Sequence, residues 1–243
     1  MQTIILGDGH LGWAIAAAAA ERGERTPLVG RPAFDRHDRA AFAGASLVID
    51  ASRAEAVRGN VETALDAGVR RFVIATTGWA FDREPVERAL RAADASAVVS
   101  ANFSLGVALF GRLVERAAEL FGAVPGFDPF LVEWHRREKA DRPSGTALDL
   151  ARRLSARHPE LTTPDDLEVV SIRAGASPGM HLVGFDATGE TVELRLTARD
   201  RSAYATGVLA AADWLGRAAR APGIHPFDPV VDELLARPDV LAA

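Results

Sequence analysis

The chain has 243 residues, enough for one large domain or two small ones, and 48% of them are hydrophobic and 25% charged, the proportions of an ordinary globular protein. With 21 glycines and 13 prolines it is neither fibrous nor low in complexity, and 28 basic against 33 acidic side chains leave a net charge of −5, which offers no general attraction to nucleic acid or anionic membrane. The absence of cysteine removes disulfides, thiolate zinc sites, iron–sulfur clusters and a thiol nucleophile.

Thr3–Leu6 reads as an apolar strand, followed by a glycine turn and an Ala-rich helix from Trp13 to Arg22. The longest apolar run, Trp13–Ala20, falls far short of the roughly 20 residues of a membrane helix, and no basic segment precedes it, which predicts a cytoplasmic protein. Pro27–Val29 and Ser46–Asp50 are further strands, the second after a short helical stretch. Val57–Ala67 reads as a helix ended by Gly68, Arg71–Ala75 as a strand buried on both faces, Pro85–Ala92 as a helix and Ala97–Ser100 as a fifth strand. This alternation predicts an α/β fold: a Rossmann-type doubly wound parallel sheet over residues 1–103, forming a dinucleotide-binding domain.

From Leu105 the rhythm changes. Leu105–Phe121 is a long amphipathic helix, and the strands Phe130–Trp134, Leu167–Arg173, His181–Asp186 and Thr191–Thr197 are separated by loops, with a hairpin turn at Gly189-Glu190. The pattern predicts a smaller α+β domain with an open mixed sheet over residues 104–200. Ala203–Ala219 is again helical, and a tail carrying Pro222, Pro226, Pro229 and Pro238 suits a segment, 201–243, that returns to the first domain.

Gly7-Asp8-Gly9-His10-Leu11-Gly12 lies between the first strand and the first helix, where glycines let backbone approach a pyrophosphate at a helix amino terminus; a purely structural turn would use glycine too. The end of the second strand, where an Asp or Glu usually binds the adenosine ribose, holds Gly30-Arg31. An Arg without a carboxylate accommodates a 2′-phosphate, which favours NADPH over NADH unless Arg31 is merely solvated. Ala75-Thr76-Thr77-Gly78 and Ser100-Ala101-Asn102-Phe103-Ser104 follow the fourth and fifth strands, on the edge where open α/β sheets bind ligands; an ordinary turn and a helix cap are the alternatives.

The segment from Glu133 to Ala147 carries the densest chemistry. His135 can transfer a proton near neutral pH, Lys139 is a point cation, and Ser144-Gly145-Thr146 precedes a helix, Ala147–Leu154, whose free amides suit a carboxylate. A charged solvent loop with an N-capping Ser or Thr would read the same way. Glu133 and His135 share a strand face and are possible metal ligands, but no second His or Asp cluster accompanies them, so no metal is expected.

This segment resembles the signature of the dihydrodipicolinate reductase (4-hydroxy-tetrahydrodipicolinate reductase) family of bacterial lysine biosynthesis, approximately E-x-H-H-x-x-K-x-D-A-P-S-G-T-A. Ala101–Gly106 is similar to that family's A-N-F-S-x-G and Thr76–Gly78 to its G-T-T-G. Ile172-Arg173-Ala174-Gly175 with Gly179, His181 and Phe185 is similar to its R-x-G-x-x-x-G-x-H-x-x-x-F. The resemblance implies NAD(P)H-dependent reduction of a cyclic dicarboxylate imine to tetrahydrodipicolinate in lysine and diaminopimelate biosynthesis, a homotetramer built on the open sheet, and a carboxyl-terminal helix that returns to the first domain. It implies His135 as proton donor assisted by Lys139, and Ser144, Gly145 and Thr146 with Arg136 as the binders of the dicarboxylate substrate. It further implies cofactor contacts from Gly7, Asp8, Gly9, His10, Leu11, Gly12, Ala75, Thr76, Thr77, Ser100, Ala101, Asn102 and Phe103. Arg136 stands where the family has a second His, Ala75 replaces the first Gly of G-T-T-G, Arg142 replaces an Ala, and the stretch from Gly30 to Ala45 is short. These departures keep two other readings open: a same-fold reductase of another carboxylated imine or oxo acid, and a non-catalytic nucleotide-binding protein.

Overall fold

A computed structural model describes residues 2–30 and 39–236. Arg31, the residue expected to read a 2′-phosphate, lies outside the described residues. The chain forms two compact units, one made of Met1–Leu105 with Arg201–Ala243 and the other of Gly106–Asp200. In chain order the elements are β1 (Thr3–Leu6), α1 (His10–Glu21), β2 (Leu28–Val29), β3 (Leu47–Asp50), α2 (Val57–Asp66), β4 (Arg71–Ile74), α3 (Arg83–Ala92) and β5 (Ser96–Val99). Next come α4 (Leu105–Gly122), β6 (Asp128–His135), α5 (Gly145–Ser155), β7 (Glu168–Arg173), β8 (Met180–Ala187) and β9 (Glu190–Thr197). The last stretch forms α6 (Ser202–Arg217), β10 (Gly223–Pro226) and α7 (Phe227–Leu235).

The first unit is a parallel six-stranded sheet in the order β10-β5-β4-β3-β1-β2. All four residues of β1 and all four of β3 are buried, as strands covered by helices on both faces must be. Val57, Val61, Ala64 and Leu65 make one face of α2 and pack with Phe42, Phe72 and Ile74 in a single core cluster. Complete burial of a side chain such as Phe72 contributes about 1.5–3 kcal/mol. Five strands were expected and six are present. The sixth, β10, has the sequence Gly-Ile-His-Pro, with no β-branched run to announce it, and its proline is accommodated because β10 is an edge strand pairing only with β5.

The second unit has the sheet order β7-β6-β8-β9, parallel between β6 and β7 and antiparallel elsewhere, hence an open mixed sheet. Its inner face, with Leu131, Val183 and Phe185, packs against Phe110, Val114 and Ala118 of α4 and Ala147, Leu150 and Leu154 of α5. Its other face carries Trp134, Val170 and Ile172, which are 37%, 43% and 40% exposed. Ala187 pairs with Glu190, so the hairpin turn is Thr188-Gly189, one residue before the position expected from sequence. Strand alternation sends Leu131, Glu133 and His135 to the inner face, and the register sets Glu133 opposite His181.

Candidate active site

Strand order reverses between β1 and β3, because the chain leaves β1 for β2 on one side and returns for β3 on the other; ligands bind at such a switch point in open parallel sheets. The glycine turn lies there, and its three glycines answer to three different demands. Gly7 has φ +108°, and a Cβ on it would sit 2.4 Å from the Ala51 carbonyl oxygen. A Cβ on Gly12 would sit 1.9 Å from the Gly7 carbonyl oxygen, so the helix can pack this close to the strand only without one. Gly9 has an ordinary negative φ and nothing within 4 Å of its Cβ position, so it borders open space. It is also the N-cap of α1 without a side-chain cap, and the first turn has no acidic residue, which leaves the helix amides to an anion. His10 is exposed and Leu11 half-buried on that turn. The exposed Asp8 folds toward β2: its Oδ2 is 3.1 Å from where a Cβ on Gly30 would be.

Asp50, 1% exposed at the end of β3, organises the neighbouring loop. Its Oδ1 accepts from the Ser52 amide at 3.0 Å, the Ser52 hydroxyl at 2.6 Å and the Thr76 hydroxyl at 2.7 Å, while Oδ2 accepts from Asn60 at 2.9 Å. Its carbonyl accepts from the amides of Ala75 and Thr76. Thr76 therefore turns inward, and Thr77 and Gly78 remain exposed. A cleft of about 170 Å³ opens between this loop and that of Ser100 and Ala101, with Trp79 and Arg83 completing its wall. Sequence reasoning missed Asp50, Trp79 and Arg83; an acid closing the apolar run Leu47-Val48-Ile49 was the one available signal. Asn102 uses Oδ1 to accept from the Ser104 amide at 2.9 Å, and the Ser100 hydroxyl donates to the Asn102 carbonyl at 2.7 Å. The Phe103 ring is buried against Phe227, so only its backbone is available to a ligand.

In the second unit, Glu133, His135, Ser144 and His181 are 0%, 6%, 2% and 5% exposed and converge at one end of the inner sheet face. One oxygen of Glu133, Oε1, accepts from the Ser144 amide at 2.9 Å, the Ser171 hydroxyl at 2.6 Å and the Arg173 guanidinium at 2.8 Å. The other, Oε2, lies 3.3 Å from His135 Nδ1 and 3.8 Å from His181 Nε2. Alignment falls short of a hydrogen bond, so Oε2 and His135 Nδ1 both lack a hydrogen-bond partner. Burial pushes the Glu133 carboxyl up, but the hydrogen bonds of Ser144, Ser171 and Arg173 outweigh it and bring it down to about 2. Burial pushes His135 below its ordinary value, with Lys139 and Arg173 adding to the effect and Glu133 opposing it. Burial and the neighbouring His135 bring His181 down to about 4.

Ser144 is the N-cap of α5, its hydroxyl accepting from the Ala147 amide at 3.2 Å. The helix thus begins at Gly145, earlier than expected, and Gly145 and Thr146 form its first turn rather than a loop before it. Gly145 is exposed with nothing within 4 Å of its Cβ position. Lys139 pairs with Asp141 at 2.7 Å and holds that carboxyl below its ordinary value. Arg136 is exposed, and Arg142 bonds the Ser171 carbonyl. The expectation of no metal rested on the lack of a second His or Asp cluster to accompany Glu133 and His135; His181 joins them from β8, the three ligand atoms lying within 4.8 Å of one another. Arg173 and Lys139 already set positive charge beside both imidazoles, which disfavours a further cation there. A larger cavity of about 360 Å³ lies at the opposite end of β6, around Asp128, Asp166 and Asp186, away from this cluster.

Residues 106–230 match the family described as dihydrodipicolinate reductase, C-terminus. A 4-hydroxy-tetrahydrodipicolinate reductase of Archaeoglobus fulgidus is 35% identical over 214 residues, covering 82% of this chain and 81% of that one. The chain belongs to the dihydrodipicolinate reductase family. Another 4-hydroxy-tetrahydrodipicolinate reductase, of Thiobacillus denitrificans, is 37% identical over 209 residues, covering 79% and 76% of the two chains. The solved dipicolinate-bound dihydrodipicolinate reductase of Paenisporosarcina shares the fold, with a TM-score of 0.69 at 17% identity over 93% of this chain and 97% of that one. As a member of the dihydrodipicolinate reductase family the chain is a nicotinamide-dependent oxidoreductase. No helix among the described residues is long and apolar enough to cross a membrane.

Proposed function

We propose that this chain reduces 4-hydroxy-tetrahydrodipicolinate, a cyclic dicarboxylate imine, to tetrahydrodipicolinate in the lysine and diaminopimelate pathway, in the cytoplasm, the 4-hydroxyl leaving as water as one hydride and one proton are added. One observation carries the reading: His135, Lys139 and the amino-terminal turn of α5 gather at one end of one sheet face, in a family whose relatives bear that activity as their name. The open space at Gly9 and the uncapped turn of α1 fit a dinucleotide pyrophosphate, and the cleft beside Thr77, Ser100 and Ala101 fits the ring that follows. Bound there, the reduced nicotinamide supplies a hydride. The chain's own residues do the rest. The amides of Gly145 and Thr146 hold one substrate carboxylate, and the fork of Arg136 takes the second. His135 delivers the proton from Nε2, and Lys139 stabilises negative charge beside it. Purified protein mixed with synthase-generated substrate and NADPH or NADH is expected to oxidise the cofactor rapidly; binding without oxidation would shift the substrate to another carboxylated imine and make Arg136 the residue to vary.

For the cofactor, we infer a preference for NADPH from Arg31, which follows Gly30 in the sequence. Asp8 favours NADH as a second reading, because its carboxylate reaches the place beside Gly30 where a ribose acceptor usually stands. Fluorescence titration decides: Arg31→Ala should weaken NADPH far more than NADH if the first holds, and Asp8→Asn should weaken NADH more than NADPH if the second does. The apolar outer face of the second sheet, with Trp134, Val170 and Ile172, supports assembly into a homotetramer. Val170→Asp should then reduce the mass seen by light scattering, and a wild-type monomer would refute the assembly.

A further inference from the structure

We propose that Glu133 is a positioning residue that fixes the tautomer of His135, holding the ring proton on Nδ1 and leaving Nε2 for the reaction. The proposal rests on the reading of His135 as proton donor. Three donors converge on Glu133 Oε1 and none on Oε2, although both atoms are buried. A buried carboxylate oxygen without a donor is costly, and the nearest groups able to provide one are His135 Nδ1 at 3.3 Å and His181 Nε2 at 3.8 Å. Geometry favours the first. His135 Nδ1 is the nearer of the two and has no other hydrogen-bond partner, whereas His181 Nε2 has the Ser144 hydroxyl 3.3 Å away as a partner of its own. His135 Nδ1–H is therefore the donor assigned to Oε2.

Gly179 keeps the other edge of the ring open, since a Cβ there would lie 3.1 Å from His135 Nε2. When His135 acts as acid, the Nε2–H bond breaks and its electron pair stays on Nε2 as the proton passes to substrate. The ring is left in the Nδ1–H form that Glu133 favours, and solvent returns the proton. The same carboxylate also clamps the Ser144 amide, so proton donor and α5 amino terminus are tied to one side chain through its two oxygens.

The test uses nitrogen-15 histidine labelling of the intact protein and long-range proton–nitrogen correlation near neutral pH. The expected result is a protonated Nδ1 and a bare Nε2 for His135. A bare Nδ1 on His135 overturns the proposal without any variant. In Glu133→Gln the new amide presents N–H to His135, so the tautomer should invert. Its kcat should fall roughly 10- to 100-fold, less than on removing the acid itself, with cofactor affinity within about twofold. The pH profile should move to lower pH, since the Glu133 charge, more than that of Asp141, favours the His135 imidazolium. If Glu133→Gln does not fold, the wild-type tautomer still decides. Failure of the assigned reaction would appear as no turnover by wild type with the tautomer unchanged, which is distinct from failure of Glu133 as the positioning group.

Discussion

The glycine turn of the first unit offers backbone amides and empty space, whereas the Glu133 cluster of the second offers side chains from which solvent is almost wholly excluded. The turn is defined by what is missing: no Cβ at Gly7, Gly9 or Gly12 and no side-chain cap on α1. The cluster is defined by what is present, with three donors on one oxygen and two imidazoles against the other. A backbone site tolerates no added atom, while a side-chain site tolerates no lost one.

Substitutions break this contrast in order of size. His135→Gln removes the acid and should lower kcat about 10²- to 10⁴-fold with cofactor affinity intact; a loss under threefold would return His135 to a structural role. Acid should unfold the second unit through its imidazoles. The folded pKa of His181 lies below the unfolded value of about 6.5, so the unfolded chain binds more protons, and stability falls as pH drops from about 6.5 toward about 4, by on the order of 3 kcal/mol. Denaturation by urea at a series of pH values should show that slope, and His181→Gln should flatten it. Glu133 contributes with the same sign at lower pH, its share vanishing as pH falls toward about 2.

Gly12→Ala forces a Cβ onto the Gly7 carbonyl and should cost about 1–3 kcal/mol together with dinucleotide binding. Gly9→Ala is the sharper probe and the smallest effect on the fold. Its φ suits alanine and nothing lies near the new methyl, and the entropy gained by removing a glycine is offset by alanine being the poorer N-cap, so stability should change by less than about 1 kcal/mol while dinucleotide affinity drops, by about tenfold for a loss of 1.4 kcal/mol. Unchanged affinity in Gly9→Ala would remove the turn from the cofactor site.

What could be read from the sequence was local. Strand, glycine turn and helix sit within a dozen residues, so Gly7–Gly12 declared both their conformation and their place in a parallel sheet. The residues from Glu133 to Thr146 were legible as a chemical segment for the same reason. Hidden features all depended on register or crossover between distant strands. His181 belongs beside Glu133 only because β8 runs antiparallel to β6 in that register, and nothing within either strand fixes it. Asp8 meets Gly30 because β1 and β2 are neighbours, and Asp50 captures Thr76 because β3 and β4 are. β10 escaped notice because an edge strand holding a proline carries little β signal of its own.

The return of β10 to the edge of the first sheet also orders events on the ribosome. Between the end of β5 and the start of β10 lies the entire second unit, so five strands of the first sheet wait while a contiguous unit is made. At the usual rate of synthesis that delay is on the order of ten seconds, long enough for the second unit to fold as one piece. During it β5 presents an unpaired edge, and a nascent chain stalled before Gly223 should be more open to proteolysis and strand exchange at β5 than one released with its last strand in place.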